Sequence, residues 1–249
     1  MQKPADRDSP EAKLVAAAAE RYRKAGRTAW EFARNKLRFD AVYLQVLRDG
    51  RLPPRGRLMD LGCGQGLMLA LIATAADEWR DGRWPASWPP PPKALELHGI
   101  ETRPRVAKRA REVLDGVATI SEIDLAAWSP PPCDAVLLVD VLHLLTRDVQ
   151  DRLIGGVARA MPPGGVLIVR EADAAAGWKF NMVRFGNRFN AFWQGRFRRP
   201  FCFDSVSGWT TRLARAGFDV EAVTRHDSGP FGNVLLQARL GRGSVDQTG

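Results

Sequence analysis

A chain of 249 residues, 45% of them hydrophobic, is long enough for one large α/β domain with a sizeable core, which excludes wholesale disorder. Its net charge of +9 attracts anionic partners such as nucleic acid, acidic lipid or an acidic protein, and by itself says nothing about fold. No apolar run approaches the roughly 18–20 residues of a membrane span, the charged start MQKPADRDSPEAK has no signal core, and three cysteines without a CxxC spacing argue against disulfides and zinc, so a cytoplasmic protein without a metal is expected.

In chain order, residues 1–10 read as a disordered tail and Glu11 to Arg48 as a helical region. Within it Asp40 is placed to cap AVYLQVLRD, and Gly50 to stop it. These first 50 residues form a tail and helical cap, and residues 51–249 the main domain. RLMDL is a short apolar strand, followed by Gly62-Cys63-Gly64-Gln65-Gly66 and the helix LMLALIATAADEW. WPASWPPPPK (84–93) cannot continue helix or strand and reads as a surface insertion. ALELHGIE is the second strand, Arg103 to Leu114 a helix, and ATISEIDL a third strand with its exit loop. DAVLLV (134–139) and VLIVRE are near-continuous apolar runs, as expected of strands covered on both faces, with a helix from Asp148 to Ala160 between them. After an unusual segment at 174–203 come a helix, SGWTTRLARAG, and two strands, FDVEAVTRH and NVLLQARL. Alternating strands and helices predict a seven-stranded, mostly parallel sheet with helices on both faces.

The segment LMDLGCGQG carries the chemistry. Gly62 and Gly64 let the backbone turn tightly and approach a ligand, and the helix after Gly66 offers free N–H groups. The pattern is D-x-G-x-G-x-G, with Asp60 at the strand end. A dinucleotide pyrophosphate is repelled by that acid, whereas a sulfonium cofactor with an ammonium group is not. The segment resembles motif I of the class I S-adenosylmethionine-dependent methyltransferases, whose Rossmann-like fold the strand–helix order also matches, and this resemblance implies a final antiparallel strand. The resemblance covers roughly residues 55–240. It implies that Asp60, Gly62, Cys63, Gly64 and Gly66 cradle the cofactor. It implies further that Glu101, after the second strand, accepts the ribose hydroxyls, that Asp124 with Leu125 receives the adenine, and that Asp140 ends the fourth strand in the motif IV region. Glu101 lies further from the glycines than is usual in the family, and the Trp/Pro insertion accounts for the excess.

Methyl transfer is an in-line displacement, in which positioning and exclusion of water do most of the work. A base is needed where the acceptor carries a proton. His143, three residues beyond Asp140, is the best candidate, set against a plain packing role. Glu171 and Asp173, leaving the fifth strand, are candidates for base or substrate ligand, or simply caps. His226, followed by Asp227, reads as a turn residue and His98 as structural. Residues 177–203 hold nine aromatics and six basic residues but no acid, and Phe185, Phe189, Phe192 and Trp193 share one helical face. Trp178, Phe185, Phe189 and Trp193 are expected to roof the substrate; a membrane contact and a nucleic-acid surface are the competing readings. The (Asp/Asn)-Pro-Pro-(Tyr/Phe) element of nucleobase amine methyltransferases is missing after Asp140. The pattern WEFARNKL near the start, DLGCGQG, DVLHLL, READ and then GPFGNVLLQARL resembles methyltransferases of bacterial aryl-polyene and related pigment pathways, which implies a small aromatic, acyl-aromatic or lipid-like acceptor, free or on an acidic acyl carrier protein. The alternative is an RNA methyltransferase or RNA-binding protein.

Overall fold

The computed structural model describes residues 8–175, 201–226 and 232–242. The chain divides into two compact units, Met1–Asp124 and Leu125–Gly249. Seven strands, β1 (Arg55–Leu61), β2 (Ala94–Ile100), β3 (Thr119–Ser121), β4 (Ala135–Val139), β5 (Val166–Ala172), β6 (Phe218–His226) and β7 (Asn233–Leu240), follow the order β3-β2-β1-β4-β5-β7-β6.

The first unit opens with three helices, α1 (Pro10–Glu20), α2 (Arg27–Phe39) and α3 (Ala41–Arg48). The predicted helical region is interrupted twice. A 3-10 turn over Arg21–Ala25 runs into Gly26, whose φ of +97° no helix can continue. Asp40 then leaves the helical region and caps α3, its carboxylate accepting from the Val42 N–H at 3.4 Å. Ser9 caps α1 in the same manner. Strands β1 (Arg55–Leu61), β2 (Ala94–Ile100) and β3 (Thr119–Ser121) pair in parallel. Helix α4 (Leu67–Arg80) buries Leu67 to Ile72 without a break, so it is a core helix and not merely an amphipathic one. Helix α5 (Pro104–Val113) buries only the stripe Ala107, Ala110 and Val113.

The Trp/Pro insertion differs from expectation. It has no regular structure, as its prolines require, but it is not wholly on the surface. Trp84 is buried, stands edge-on to Trp88 at 5.3 Å and donates its indole N–H to the Pro89 carbonyl at 3.0 Å. Pro91 and Pro92 are buried as well.

In β2, Gly99 is a glycine for lack of room. A Cβ there would stand 2.7 Å from Ile120 Cδ1, 2.8 Å from Cys63 Sγ and 2.9 Å from Leu69 Cδ1. Gly99→Ala is therefore expected to lower the unfolding free energy by about 1–3 kcal/mol through overpacking. Urea denaturation measures this, and an unchanged midpoint would show that the neighbours yield freely.

The second unit holds β4 (Ala135–Val139), α6 (Arg147–Ala160), β5 (Val166–Ala172), α7 (Val206–Arg215), β6 (Phe218–His226) and β7 (Asn233–Leu240). β4 and β5 are parallel, and β7 runs antiparallel to both β5 and β6. Every residue of β5 is buried, which fits a strand with neighbours on both edges and covered faces. No helix among the described residues is long and apolar enough to cross a membrane.

Candidate functional site

In the first unit β1 delivers the chain into the glycine turn. The N–H groups of Gly62 and Cys63 both donate to the Ile100 carbonyl, at 2.7 and 2.9 Å, which ties the turn to the end of β2. Gly62, Gly64 and Gly66 have φ of +79°, +59° and +77°, values that disfavour any side chain. They are glycines for different reasons. A Cβ on Gly66 would strike Leu114 Cδ1 at 2.5 Å, whereas one on Gly64 would meet nothing within 4 Å. Gly66 is needed for packing, and Gly64 borders open space that a side chain would fill.

Two acids flank this turn. Asp60 is buried, and burial, then the nearby charge of Glu101, push its carboxyl up to about 7. A cationic ligand group beside this acid would favour its ionised form and draw its pKa back down. Glu101 is also buried, which acts against its charge, but the Arg103 side chain and the backbone N–H groups of Arg103 and Gly64 outweigh this and hold it below the usual carboxylate range. The guanidinium grips both oxygens at 2.9 Å, and the Arg103 N–H adds a bond of 2.8 Å to Oε1. Most of the acceptor capacity of Glu101 is thus engaged within the chain. The Cys63 thiol is raised well above its ordinary value by burial and by the charges of Asp60 and Glu101, so it stays protonated. Asp124 is exposed, and Leu125 is buried at the start of a 3-10 turn over Leu125–Ala127.

In the second unit the chain leaves β4 through Asp140, whose φ of +58° is rare for a residue with a side chain. Its carboxylate pairs with the Arg170 guanidinium. A 3-10 turn over Leu142–Leu144 follows and carries His143. Glu171 belongs to β5 itself, is fully buried and serves this turn: Oε1 accepts from the N–H of Leu142 at 2.6 Å and of His143 at 3.3 Å, while Oε2 meets His143 Nδ1 at 2.7 Å. Burial acts to lower the His143 pKa, but the Glu171 charge and hydrogen bond, with Asp140 behind them, hold it above the ordinary value. Phe203 stacks on the imidazole at a centroid distance of 4.8 Å and 7° between planes, and Phe201 lies 5.9 Å away. Gln150, buried in α6, locks the arrangement by donating to the carbonyls of Leu142 and Cys202 and accepting from Arg212. Asp173 is buried and accepts from the Ala175 N–H, which is the capping alternative.

Asp60, Gly62, Cys63, Gly64, Gly66 and Glu101 are thus gathered in the first unit, and Asp140, His143 and Glu171 in the second. The lid residues Trp178, Phe185, Phe189 and Trp193 lie outside the described residues, as do the His226 side chain and Asp227. Three contributors escape sequence reasoning. Arg103 could be suspected from standing two residues beyond Glu101. Gln150 has no local signal. Tyr22, fully buried, donates its hydroxyl to the Gln65 carbonyl inside the glycine turn at 2.9 Å, across 43 residues of sequence.

A family model described as a methyltransferase domain matches residues 29–223. Among curated proteins, none matches the chain. Solved structures share its fold. The pyocyanin biosynthetic protein PhzM has a TM-score of 0.60 at 18% identity, over 88% of this chain and 60% of its own. CalO1, a methyltransferase in calicheamicin biosynthesis in its SAH-bound form, has 0.56 at 16%, over 93% of this chain and 73% of its own. Magnesium protoporphyrin IX methyltransferase from Synechocystis PCC 6803, with bound SAH, has 0.55 at 18%, over 94% and 99%. This chain therefore spans less than two thirds of PhzM but nearly all of the Synechocystis enzyme. The chain belongs to the methyltransferase-domain family, and its fold is that of the class I S-adenosylmethionine-dependent methyltransferases.

Proposed function

We propose that the protein transfers a methyl group from S-adenosylmethionine to a small acceptor, aromatic, acyl-aromatic or lipid-like, free or on an acidic carrier protein. The observation that carries this reading is the glycine turn beside Asp60: three left-handed glycines, open space at Gly64 and a buried acid with a raised pKa. A pyrophosphate cofactor has no use for such an acid. The residues present fit an adenosyl sulfonium ligand, whose ammonium Asp60 would hold and whose adenosine the turn, Glu101 and Asp124 would receive. To accept ribose hydroxyls, Glu101 gives up part of the Arg103 grip. When bound, this cofactor supplies a methyl group on a positively charged sulfur.

His143 would take the acceptor's proton. Glu171 would fix the ring orientation and stabilise the imidazolium that forms, so it acts through His143 as a positioning residue. Because its pKa is raised, His143 is a competent base only above the ordinary histidine range. Phe203, stacked on the imidazole, and Phe201, tilted beside it, give His143 the aromatic surroundings that suit such an acceptor. Biosynthesis of small molecules by PhzM and CalO1 is in keeping with this acceptor class. A panel of phenols, free and carrier-bound, with short RNAs as a further arm, tests it. Release of S-adenosylhomocysteine from the phenolic arms supports the reading, and release only from RNA replaces it.

The raised Asp60 predicts a pH effect on cofactor binding. Below about 7 the acid is protonated in the free protein, and a cationic ligand must displace that proton. Affinity for S-adenosylmethionine should therefore rise with pH, by up to about tenfold per unit, and level off above 7. Calorimetry between pH 5.5 and 7.5 measures it. Asp60→Asn should abolish the slope, and an equally steep slope in that variant would remove Asp60 from the role.

A further inference from the structure

The glycine turn is held from outside the strand–turn–helix that contains it. Residues 9–25 form an arm. Its helix α1 buries Leu14, Val15, Ala18 and Ala19 and packs on both α2 and α4. Arg21 then grips α4 from the side: Nε donates to the Thr74 hydroxyl at 2.9 Å, and the guanidinium pairs with Asp77. Thr74 in turn donates to the Ala70 carbonyl, so the anchor rests on a side chain that is itself fixed. The next residue, Tyr22, has no exposed surface, and its hydroxyl reaches the Gln65 carbonyl at 2.9 Å. The Gln65 carbonyl and the Gly66 N–H belong to one peptide group. That N–H donates to the Cys63 carbonyl at 2.9 Å, so the Tyr22 bond and the Cys63 bond hold the two ends of the same peptide plane. Burial, and then the charges of Cys63 and Asp60, push the phenol pKa up, so the hydroxyl stays protonated and able to donate.

We propose that Tyr22 is a positioning residue for the cofactor: the N-terminal arm completes the cofactor turn by locking the Gln65–Gly66 peptide in its ligand-ready orientation. Without the hydroxyl the Gln65 carbonyl loses a buried partner, the peptide can rotate, and the N–H groups at the start of α4 are no longer aimed for binding. The ring alone fills the volume, so Tyr22→Phe removes the bond and keeps the packing. This inference rests on the reading of the glycine turn as the S-adenosylmethionine site.

The test uses the full chain, wild type and Tyr22→Phe, titrated with S-adenosylhomocysteine by calorimetry and with S-adenosylmethionine in turnover on whichever acceptor the panel identifies. The dissociation constant and the KM for the cofactor are expected to rise about 3- to 10-fold, the net worth of one hydrogen bond, with kcat and the acceptor KM unchanged. Unfolding midpoints without ligand complete the comparison. A lowered midpoint with unchanged affinity would make Tyr22 an ordinary core residue and overturn the inference, as would equal values throughout. Failure of the wild type to bind either adenosyl ligand would instead remove the reading beneath it.

Discussion

Glu171→Ala is expected to lower the unfolding free energy by about 3 kcal/mol or more, among the largest effects of any single change in the second unit. The side chain is fully buried and satisfies two backbone N–H groups and the His143 ring at once. Alanine leaves those donors without an acceptor in a place water does not reach. Urea denaturation gives the number, and a loss below about 1 kcal/mol would mean that the turn rearranges to find other partners. The milder Glu171→Gln separates stability from chemistry. It keeps the volume and one acceptor oxygen but removes the charge that raises His143. The His143 pKa, followed by the ring proton resonances, should therefore fall from above the ordinary histidine value in the wild type to below it, since burial is then largely unopposed. Turnover should fall by about 100-fold or more if His143 is the base, and its acid limb should move to lower pH. The sign of the linkage is fixed by the same shift. A folded pKa above the unfolded one gives stabilisation that is complete below the unfolded value and lost as pH rises through the folded one. An acid limb that stays in place in Glu171→Gln would take His143 out of the reaction.

Gly64→Arg is expected to weaken binding of S-adenosylhomocysteine by about 100-fold or more. At φ of +59° a side chain costs about 1 kcal/mol of strain, and nothing within 4 Å of the added Cβ belongs to the protein. The long side chain thus goes into the space the proposed ligand needs, and it brings a positive charge toward Asp60. Calorimetry with both adenosyl ligands and with NADH measures it. Gly64→Ala isolates the backbone strain, and it should bind nearly as the wild type does. Binding that survives in Gly64→Arg would move the cofactor away from this turn.

Much of the fold could be read from local pattern. The apolar runs of β4 and β5 and the acid-glycine turn are short-range signals, and so is the cap at Asp40. What stayed hidden depends on contacts between distant residues. Gly26 could be seen as a glycine but not as the end of a helix, because helical pattern resumes at once on its far side. The Trp/Pro insertion looked exposed because prolines exclude regular structure. Its burial follows from an indole N–H finding the Pro89 carbonyl, which no periodicity records. Glu171 was expected to leave β5, but the strand runs on to Ala172 because Ala172 still pairs with Asn233 of β7. The acid therefore points into the structure and serves His143, 28 residues away in sequence. His143 and Glu171 were visible by their places after the fourth strand and at the end of the fifth, while the bond between them and the stacking of Phe203 on the ring were not.

The close fit between Cys63 and Gly99 bears on redox chemistry. A cysteine in a ligand-binding turn invites oxidation, since the thiolate is the form that reacts with peroxide and disulfides. Here the missing Cβ of Gly99 makes room for the sulfur, and two neighbouring acids with burial keep it protonated. The turn gains the small, polarisable packing of sulfur in a form that oxidants attack slowly.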